Sequence, residues 1–90
     1  MTRADRPTIR AGIRLQWEEV QNAYVLLYPE GMVKLNTSAA EILRRCDGVR
    51  SVDEIVADLE TTFNRGGLQD EIVRFLELAR TQGWIGAEVP

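Results

Sequence analysis

The stretch KLNTSAAEILRRCDGVRSVDEIVADL, residues 34 to 59, contains two helical patterns separated by the turn Cys46-Asp47-Gly48. Apolar residues recur at helical spacing on both sides of this turn. Ser38 and Ser51 each stand three residues before a glutamate, which is the spacing of a capping box at a helix start. The stretch therefore predicts a helix-turn-helix unit.

Three short extended segments precede this unit. Residues 13 to 18 alternate apolar and polar side chains, residues 23 to 28 are rich in aromatic and branched types, and residues 32 to 35 follow the turn Pro29-Glu30-Gly31. Such segments with short turns between them predict a three-stranded antiparallel meander. Because residues 1 to 12 lack apolar periodicity, we expect them to form a flexible N-terminal arm.

A third helix is predicted to begin near Gln69-Asp70 and to end at Gly83. Its apolar side chains spread over an arc of roughly 220°, which is wider than one buried face requires. Either the sheet covers this arc or part of it borders a groove. Residues 13 to 90 are thus expected to form a single α+β domain, winged helix-turn-helix-like, in which a three-stranded antiparallel sheet is followed by three helices.

Composition argues against several classes of function. The chain has 11 Lys and Arg against 14 Asp and Glu, a net charge of −3, no histidine and one cysteine. It therefore lacks the commonest general base and the cluster of ligands that a metal site needs. We expect no catalytic residue, no metal and no cofactor. No apolar run reaches the ~18 residues of a membrane span, so we expect a cytoplasmic protein without a membrane partner.

A series of short motifs extends over most of the chain, roughly from Ile13 to Ile85. These motifs are Pro29-Glu30-Gly31, Leu35-Asn36, Ala40, Ile42-Leu43, Cys46-Asp47-Gly48, Ser51-Val52, Glu54-Ile55-Val56, Leu59, Asp70, Val73, Phe75-Leu76 and Gly83-Trp84-Ile85. In order and spacing they resemble the PqqD family of pyrroloquinoline quinone (PQQ) biosynthesis. The match is weaker around Gln16-Trp17-Glu18 and at Gly66-Gly67.

The resemblance implies a peptide chaperone, or RiPP recognition element, that binds ribosomally made precursor peptides. The expected partners are the precursor peptide PqqA and the radical SAM enzyme PqqE, to which the peptide would be presented. The peptide would lie as an added strand beside the third strand and against the third helix. Carried over by position, the peptide-binding residues are Met32, Val33, Lys34, Leu35, Ile72, Val73, Phe75, Leu76 and Ala79.

Three other possibilities remain open. The alternative function is a winged-helix DNA-binding regulator, but the predicted second helix carries only acidic charges, at Asp53, Glu54, Asp58 and Glu60. We therefore expect no nucleic-acid partner. An enzyme or redox protein built on Cys46 is a second possibility, although this thiol lies on an apolar stripe and is expected to be buried and inert. Open sheet edges also allow a homodimer.

Overall fold

The structure is a computed structural model that describes residues 1 to 88, apart from the side chain of Glu88. Its elements are β1 (Arg6–Ile9), β2 (Arg14–Glu18), β3 (Ala23–Tyr28), β4 (Gly31–Lys34), α1 (Thr37–Arg44), α2 (Val52–Thr62), α3 (Gln69–Thr81) and β5 (Ile85–Glu88). The predicted α+β class, with a three-stranded antiparallel sheet followed by three helices, is confirmed. Val89 and Pro90, the end of the predicted domain, lie outside the described residues. None of the described helices is long and apolar enough to cross a membrane.

The predicted meander is present, with strand order β2-β3-β4 and antiparallel pairing throughout. The tight turn between β2 and β3 places Asn22 at a φ of 51°, in the left-handed region that asparagine tolerates. Leu15 lies opposite Leu26, which in turn lies opposite Val33, so these three side chains share one face. All three belong to the core or pack against it, so this inner face of the sheet is covered by the helices.

The start of α1 is fixed by Asn36, whose side chain accepts a hydrogen bond from the Ala39 N–H at 2.8 Å. This cap starts the helix at Thr37 and places Ser38 inside the first turn. The capping box expected between Ser38 and Glu41 is therefore not the one that starts the helix. Asparagine, serine and threonine are all good caps, so the sequence left the choice among three adjacent residues open.

The start of α2 has the predicted capping box. The Ser51 hydroxyl accepts from the Glu54 N–H at 3.2 Å, and the Glu54 carboxylate accepts from the Ser51 N–H at 2.9 Å. In the turn before it, Gly48 has a φ of 77°, a conformation that favours glycine. A Cβ at Gly48 would also lie 3.4 Å from the Thr8 Cβ, so the turn packs closely against the N-terminal segment.

The core lies between the inner face of the meander and the three helices. Its fully buried large side chains come from β3, from each helix and from β5, namely Leu26, Leu43, Ile55, Leu59, Leu76 and Ile85. A chain of 90 residues supports one modest core of this kind.

The N-terminal segment differs from the expected flexible arm. Residues 6 to 9 form β1, which pairs antiparallel with β5 at the other end of the chain. The Asp5 carbonyl accepts from the Val52 N–H at 2.9 Å, and the Arg3 carbonyl accepts from the Asp53 N–H at 3.1 Å. These carbonyls satisfy donors that the first turn of α2 would otherwise leave free. Local periodicity does not reveal such a segment because its partners are distant in sequence.

Removing residues 1 to 9 should lower the free energy of unfolding by at least about 2 kcal/mol, at roughly 1 kcal/mol for each lost hydrogen bond to α2. Urea unfolding followed by circular dichroism measures this loss. The double variant Arg3→Ala, Arg6→Ala is the control, since it removes exposed side chains but keeps the backbone bonds. Equal stability of the truncated and full-length chains would contradict a structural role for β1.

Candidate functional site

β4 is an edge strand of the three-stranded sheet in the part of the chain that the structure describes. The Leu35 N–H donates to the Tyr24 carbonyl at 2.9 Å, and hydrogen bonding alternates along an antiparallel strand. Val33, two residues earlier, therefore also bonds to β3. The N–H and C=O groups of Met32 and Lys34 point the other way, toward the open edge. The backbone of these two residues can receive another strand.

The four predicted strand residues thus have different roles. Val33 is half-buried and packs against the core, whereas Leu35 is buried within it. Met32 and Lys34 are exposed, and their side chains lie on the opposite face of the sheet from Val33. Val33 and Leu35 therefore both turn their side chains toward the helices, but only Val33 is partly accessible, while Met32 and Lys34 offer their backbone at the edge.

Three of the five predicted residues of α3 belong to the hydrophobic core. Ile72 is 3% exposed, and Leu76 and Ala79 are fully buried. They form the central stripe of the helix and pack beneath the surface, so Leu76 and Ala79 do not offer side chains to a peptide. Burial in the core therefore explains part of the wide apolar arc of α3, and this was one of the two interpretations of the sequence.

The other apolar residues of α3 lie on two separate flanks. At about 100° per residue, Phe75 and Leu78 lie on one side of the buried stripe and Val73 lies on the other. Leu78 is 51% exposed and borders a cavity together with Val33. Val73 shares its flank with Glu77, whose carboxylate is 3.0 Å from the N-terminal amine. Phe75 and Leu78 thus face the β4 side, whereas Val73 faces the N-terminal segment.

Two cavities lie at the two ends of α3, and the one at the C-terminal end is also lined by β4. The cavity at the C-terminal end of α3 is lined by residues that include Tyr28, Val33, Leu78 and Trp84. The cavity at the N-terminal end of α3 is lined by residues that include Ile42, Phe63, Leu68 and Ile72. We call the space between them, along β4 and the Phe75 flank of α3, the β4–α3 groove. Its open backbone edge and apolar walls are the two features that strand addition requires.

Sequence reasoning missed the aromatic walls of this groove. Tyr28 ends β3 just before the turn, and Trp84 follows α3, so neither belongs to the strand or helix from which the site was predicted. Both are half-buried. A large aromatic residue at the end of an element was the available signal, but only the folded chain brings Tyr28 and Trp84 to the same cavity.

The outer surface of α2 is acidic. A hydrogen bond from the Ser51 backbone N–H holds the pKa of Glu54 below its ordinary value, and a hydrogen bond from Arg45 lowers the pKa of Asp58. Both side chains are therefore ionised at neutral pH, and α2 carries no basic residue. Phosphate groups would be repelled by this helix, so the DNA-binding alternative is not favoured.

Cys46 is enclosed by the core. Its sulfur lies 3.4 Å from the Ile42 carbonyl, and burial, followed by the nearby charge of Asp47, raises the pKa of the thiol to about 12. The thiolate is the form that acts as a nucleophile or binds metals. At neutral pH this cysteine is therefore protonated and inaccessible, which supports a structural role.

Cys46 should react with a disulfide reagent such as Ellman's reagent far more slowly than a free thiol at mildly alkaline pH. The high pKa keeps the thiol protonated as pH rises through the range in which ordinary cysteines ionise, and burial limits access. Absorbance of the released thiolate measures the rate, and urea-unfolded protein is the control that should react fully. Rapid reaction of the folded protein would contradict the buried state.

Comparison with known proteins identifies the family of the chain. The family model for "Coenzyme PQQ synthesis protein D (PqqD)" matches residues 23 to 85. A relative from Stutzerimonas stutzeri (strain A1501), named "PqqA binding protein", is 54% identical over 80 residues, or 88% of this chain and 87% of the relative. A relative from Azotobacter vinelandii with the same name is 54% identical over 82 residues, or 90% of this chain and 89% of the relative.

A solved structure is also similar over nearly the whole chain. It is the solution NMR structure of the PqqD truncation of Methylobacterium extorquens PqqCD, titled a functional and stand-alone RiPP recognition element. The TM-score is 0.70 at 29% sequence identity, and the match covers 98% of this chain and 94% of that one. Sequence and fold thus agree over the same region, and the chain belongs to the PqqD family.

Proposed function

We propose that this chain binds the precursor peptide PqqA as an added strand in the β4–α3 groove. The observation that carries the proposal is the open backbone edge of Met32 and Lys34 beside the apolar flank of α3, where Leu78 is exposed and Phe75 is half-buried. Relatives about half identical to this chain are named PqqA binding proteins, which supports the same ligand here.

An extended peptide would use the groove in two ways. Its backbone would pair with the outward N–H and C=O groups of β4, which gives affinity without depending on the peptide sequence. Its alternate side chains would enter the two cavities at the ends of α3, which gives selectivity for apolar residues. Of the predicted residues, Met32, Val33, Lys34 and Phe75 form the groove surface, with Leu78 added and Leu76 supporting it from the core.

The chain would act as an adaptor that presents the bound peptide to the radical SAM enzyme PqqE. The buried, protonated Cys46 supports a binding role rather than catalysis. The α1-turn-α2 unit beside an antiparallel sheet supports the description winged helix-turn-helix-like, with α2 as scaffold rather than DNA reader. Because the precursor is made by ribosomes, the cytoplasm is the compartment in which this encounter would occur.

Titration of isotope-labelled protein with PqqA, followed by amide NMR shifts, tests the proposal. We expect the largest shifts at Met32 and Lys34, whose N–H groups gain a peptide carbonyl, with further shifts over residues 75 to 82. The amides of Val33 and Leu35 should shift less because they already bond to β3.

The exposed face of α2 provides the internal control for this titration. Amides around Ala57 and Thr61 lie away from the groove and should keep their positions. Shifts confined to α2, or no shifts along β4, would overturn the site. Sedimentation of the free protein checks whether a second copy occupies the same edge, since a homodimer formed there would compete with the peptide.

A further inference from the structure

β2 forms the edge of the three-stranded sheet opposite β4. On β3 the Tyr24 carbonyl bonds to the residue that follows β4, so the backbone groups of Val25 face β2, where Gln16 lies opposite. Leu15 and Trp17, on either side of Gln16, therefore direct their N–H and C=O groups away from the sheet. Within residues 1 to 88, neither makes a backbone hydrogen bond to another segment. Such an edge can pair with a further strand.

The inner face of the sheet is only partly covered at this edge. The side chains of Leu15 and Trp17 point to the same side of the sheet as the helices, and Leu15 is half-buried. The Trp17 ring meets the Tyr24 ring edge-on, with 5.2 Å between centroids, yet Trp17 remains 45% exposed. The helices therefore leave space beside β2 for another strand and its side chains.

The sequence of β2, Arg14-Leu15-Gln16-Trp17-Glu18, is complementary to itself in the antiparallel direction. When two copies pair about Gln16, Leu15 of each copy lies opposite Trp17 of the other, and Arg14 lies opposite Glu18. Leu15 and Trp17 carry the outward backbone groups, so each of their pairs exchanges two hydrogen bonds. An aromatic residue thus meets an aliphatic one on the inner face, and opposite charges meet on the other face, and both kinds of cross-strand pair are stabilising.

Two neighbouring registers would also align the outward backbone groups of β2, but both lose the charge pairs. Pairing about Leu15 places Arg14 opposite Gln16, and pairing about Trp17 places Glu18 opposite Gln16. Each of these registers also leaves part of β2 without a partner in the other β2. Only the register centred on Gln16 pairs the whole strand and both of its charges.

The two charges of β2 are not used within one copy. Inside the sheet, Arg14 lies opposite Leu27 and Glu18 lies opposite Ala23. Neither has an ionic partner among residues 1 to 87, whose side chains the structure describes. The Gln16 amide donates to one carboxylate oxygen of Glu18 at 2.9 Å, which leaves the other oxygen for a second copy.

We infer that β2 is a self-association edge, at which two copies of this chain pair antiparallel about Gln16. The two meanders then form one continuous sheet, with three strands from each copy. Directly opposite residues share a face of the sheet, so the helices of both copies lie on the same side. β4 stays at the two outer edges, and each β4–α3 groove remains open to a peptide. Because the contact is one short strand, we expect a weak, concentration-dependent dimer.

Sedimentation equilibrium of the full chain, from micromolar to millimolar concentration, tests this inference by exchanging charges. The wild-type chain should show a monomer–dimer equilibrium, and Arg14→Glu should weaken the dimer on the order of tenfold, since two carboxylates then meet at each charge pair. Adding Glu18→Arg to Arg14→Glu should restore the wild-type dimer. Positions 14 and 18 are ~13 Å apart along an extended strand, so they cannot compensate each other within one copy.

Two further measurements complete the test. Lys34→Glu makes the same change of charge on the opposite edge strand, so it is the matched control and should dimerise like the wild type. In a mixture of isotope-labelled and unlabelled wild-type protein, a nuclear Overhauser contact should join the Gln16 Hα atoms of two copies, because this pair lies at the centre of the register. This contact needs no variant.

Several outcomes would overturn the inference. The wild-type chain could stay monomeric throughout, Arg14→Glu could dimerise as strongly as the wild type, or the double variant could dimerise no more strongly than Arg14→Glu. Dissociation of the dimer by PqqA would place the second copy at β4 instead, and would overturn the inference as well. Failure of the wild-type chain to bind PqqA would refute the proposed function but leave the β2 dimer standing.

Discussion

Replacing Leu76 with aspartate should unfold the protein rather than merely weaken peptide binding. The side chain is fully buried, so the change both leaves a cavity and buries a carboxylate without a partner. Together these effects cost at least about 4 kcal/mol. A small domain has only about 5–15 kcal/mol of stability, so this loss removes most of it at the lower end of that range, where a chain of 90 residues is expected to lie. Far-ultraviolet circular dichroism and urea unfolding measure the effect.

Leu78→Asp and Val73→Asp are the matched controls on the same helix. Leu78 is half-exposed on the groove flank, so its aspartate variant should fold but bind PqqA about tenfold more weakly or worse, since an apolar contact is lost. Val73→Asp should fold with unchanged affinity because that flank faces away from β4.

Two outcomes would contradict this assignment. If the Leu76→Asp variant folded but bound PqqA weakly, Leu76 would belong to the groove, as the sequence predicted. Normal binding by Leu78→Asp would exclude this flank from the site.

Replacing Lys34 with proline should weaken PqqA binding between roughly fivefold and hundredfold while the sheet stays folded. Proline removes the N–H that points to the open edge, and an edge strand tolerates this loss when the N–H faces outward. The peptide would lose one backbone hydrogen bond and leave a carbonyl unpaired, at a cost of about 1–3 kcal/mol. Isothermal titration calorimetry measures the change, and Lys34→Ala, which removes the side chain but keeps the N–H, is the control.

Val33→Pro distinguishes the two directions of hydrogen bonding along β4. Since the Val33 N–H bonds to β3, its removal should disrupt the sheet, with loss of the cooperative unfolding transition. The assigned directions of these N–H groups would be wrong if Lys34→Pro folded and bound PqqA with unchanged affinity while Val33→Pro folded but failed to bind. The two proline variants therefore test the edge geometry independently of any side chain.

Local patterns in the sequence predicted the elements that depend on neighbouring residues. The Ser51 capping box, the turn at Gly48 and the alternation in β2 each involve residues a few positions apart, so their signals survive without tertiary information. The acidic surface of α2, which argues against DNA, is likewise visible in the sequence because charge does not depend on folding. The pairing of the third strand and the third helix as the two sides of one site was implied by the family resemblance, and it stays a prediction.

The tertiary structure decided which groups face that site. The apolar arc of α3 predicts burial or binding equally well, and only packing separates Leu76 in the core from Leu78 on the surface. The direction of each N–H on β4 depends on its register with β3, and β1 depends on a partner at the other end of the chain. The sequence by itself thus determined the meander and the three helices, because those signals are local, and it indicated the family through the order and spacing of motifs along the chain. Side-chain exposure and edge geometry were decided only by long-range contacts.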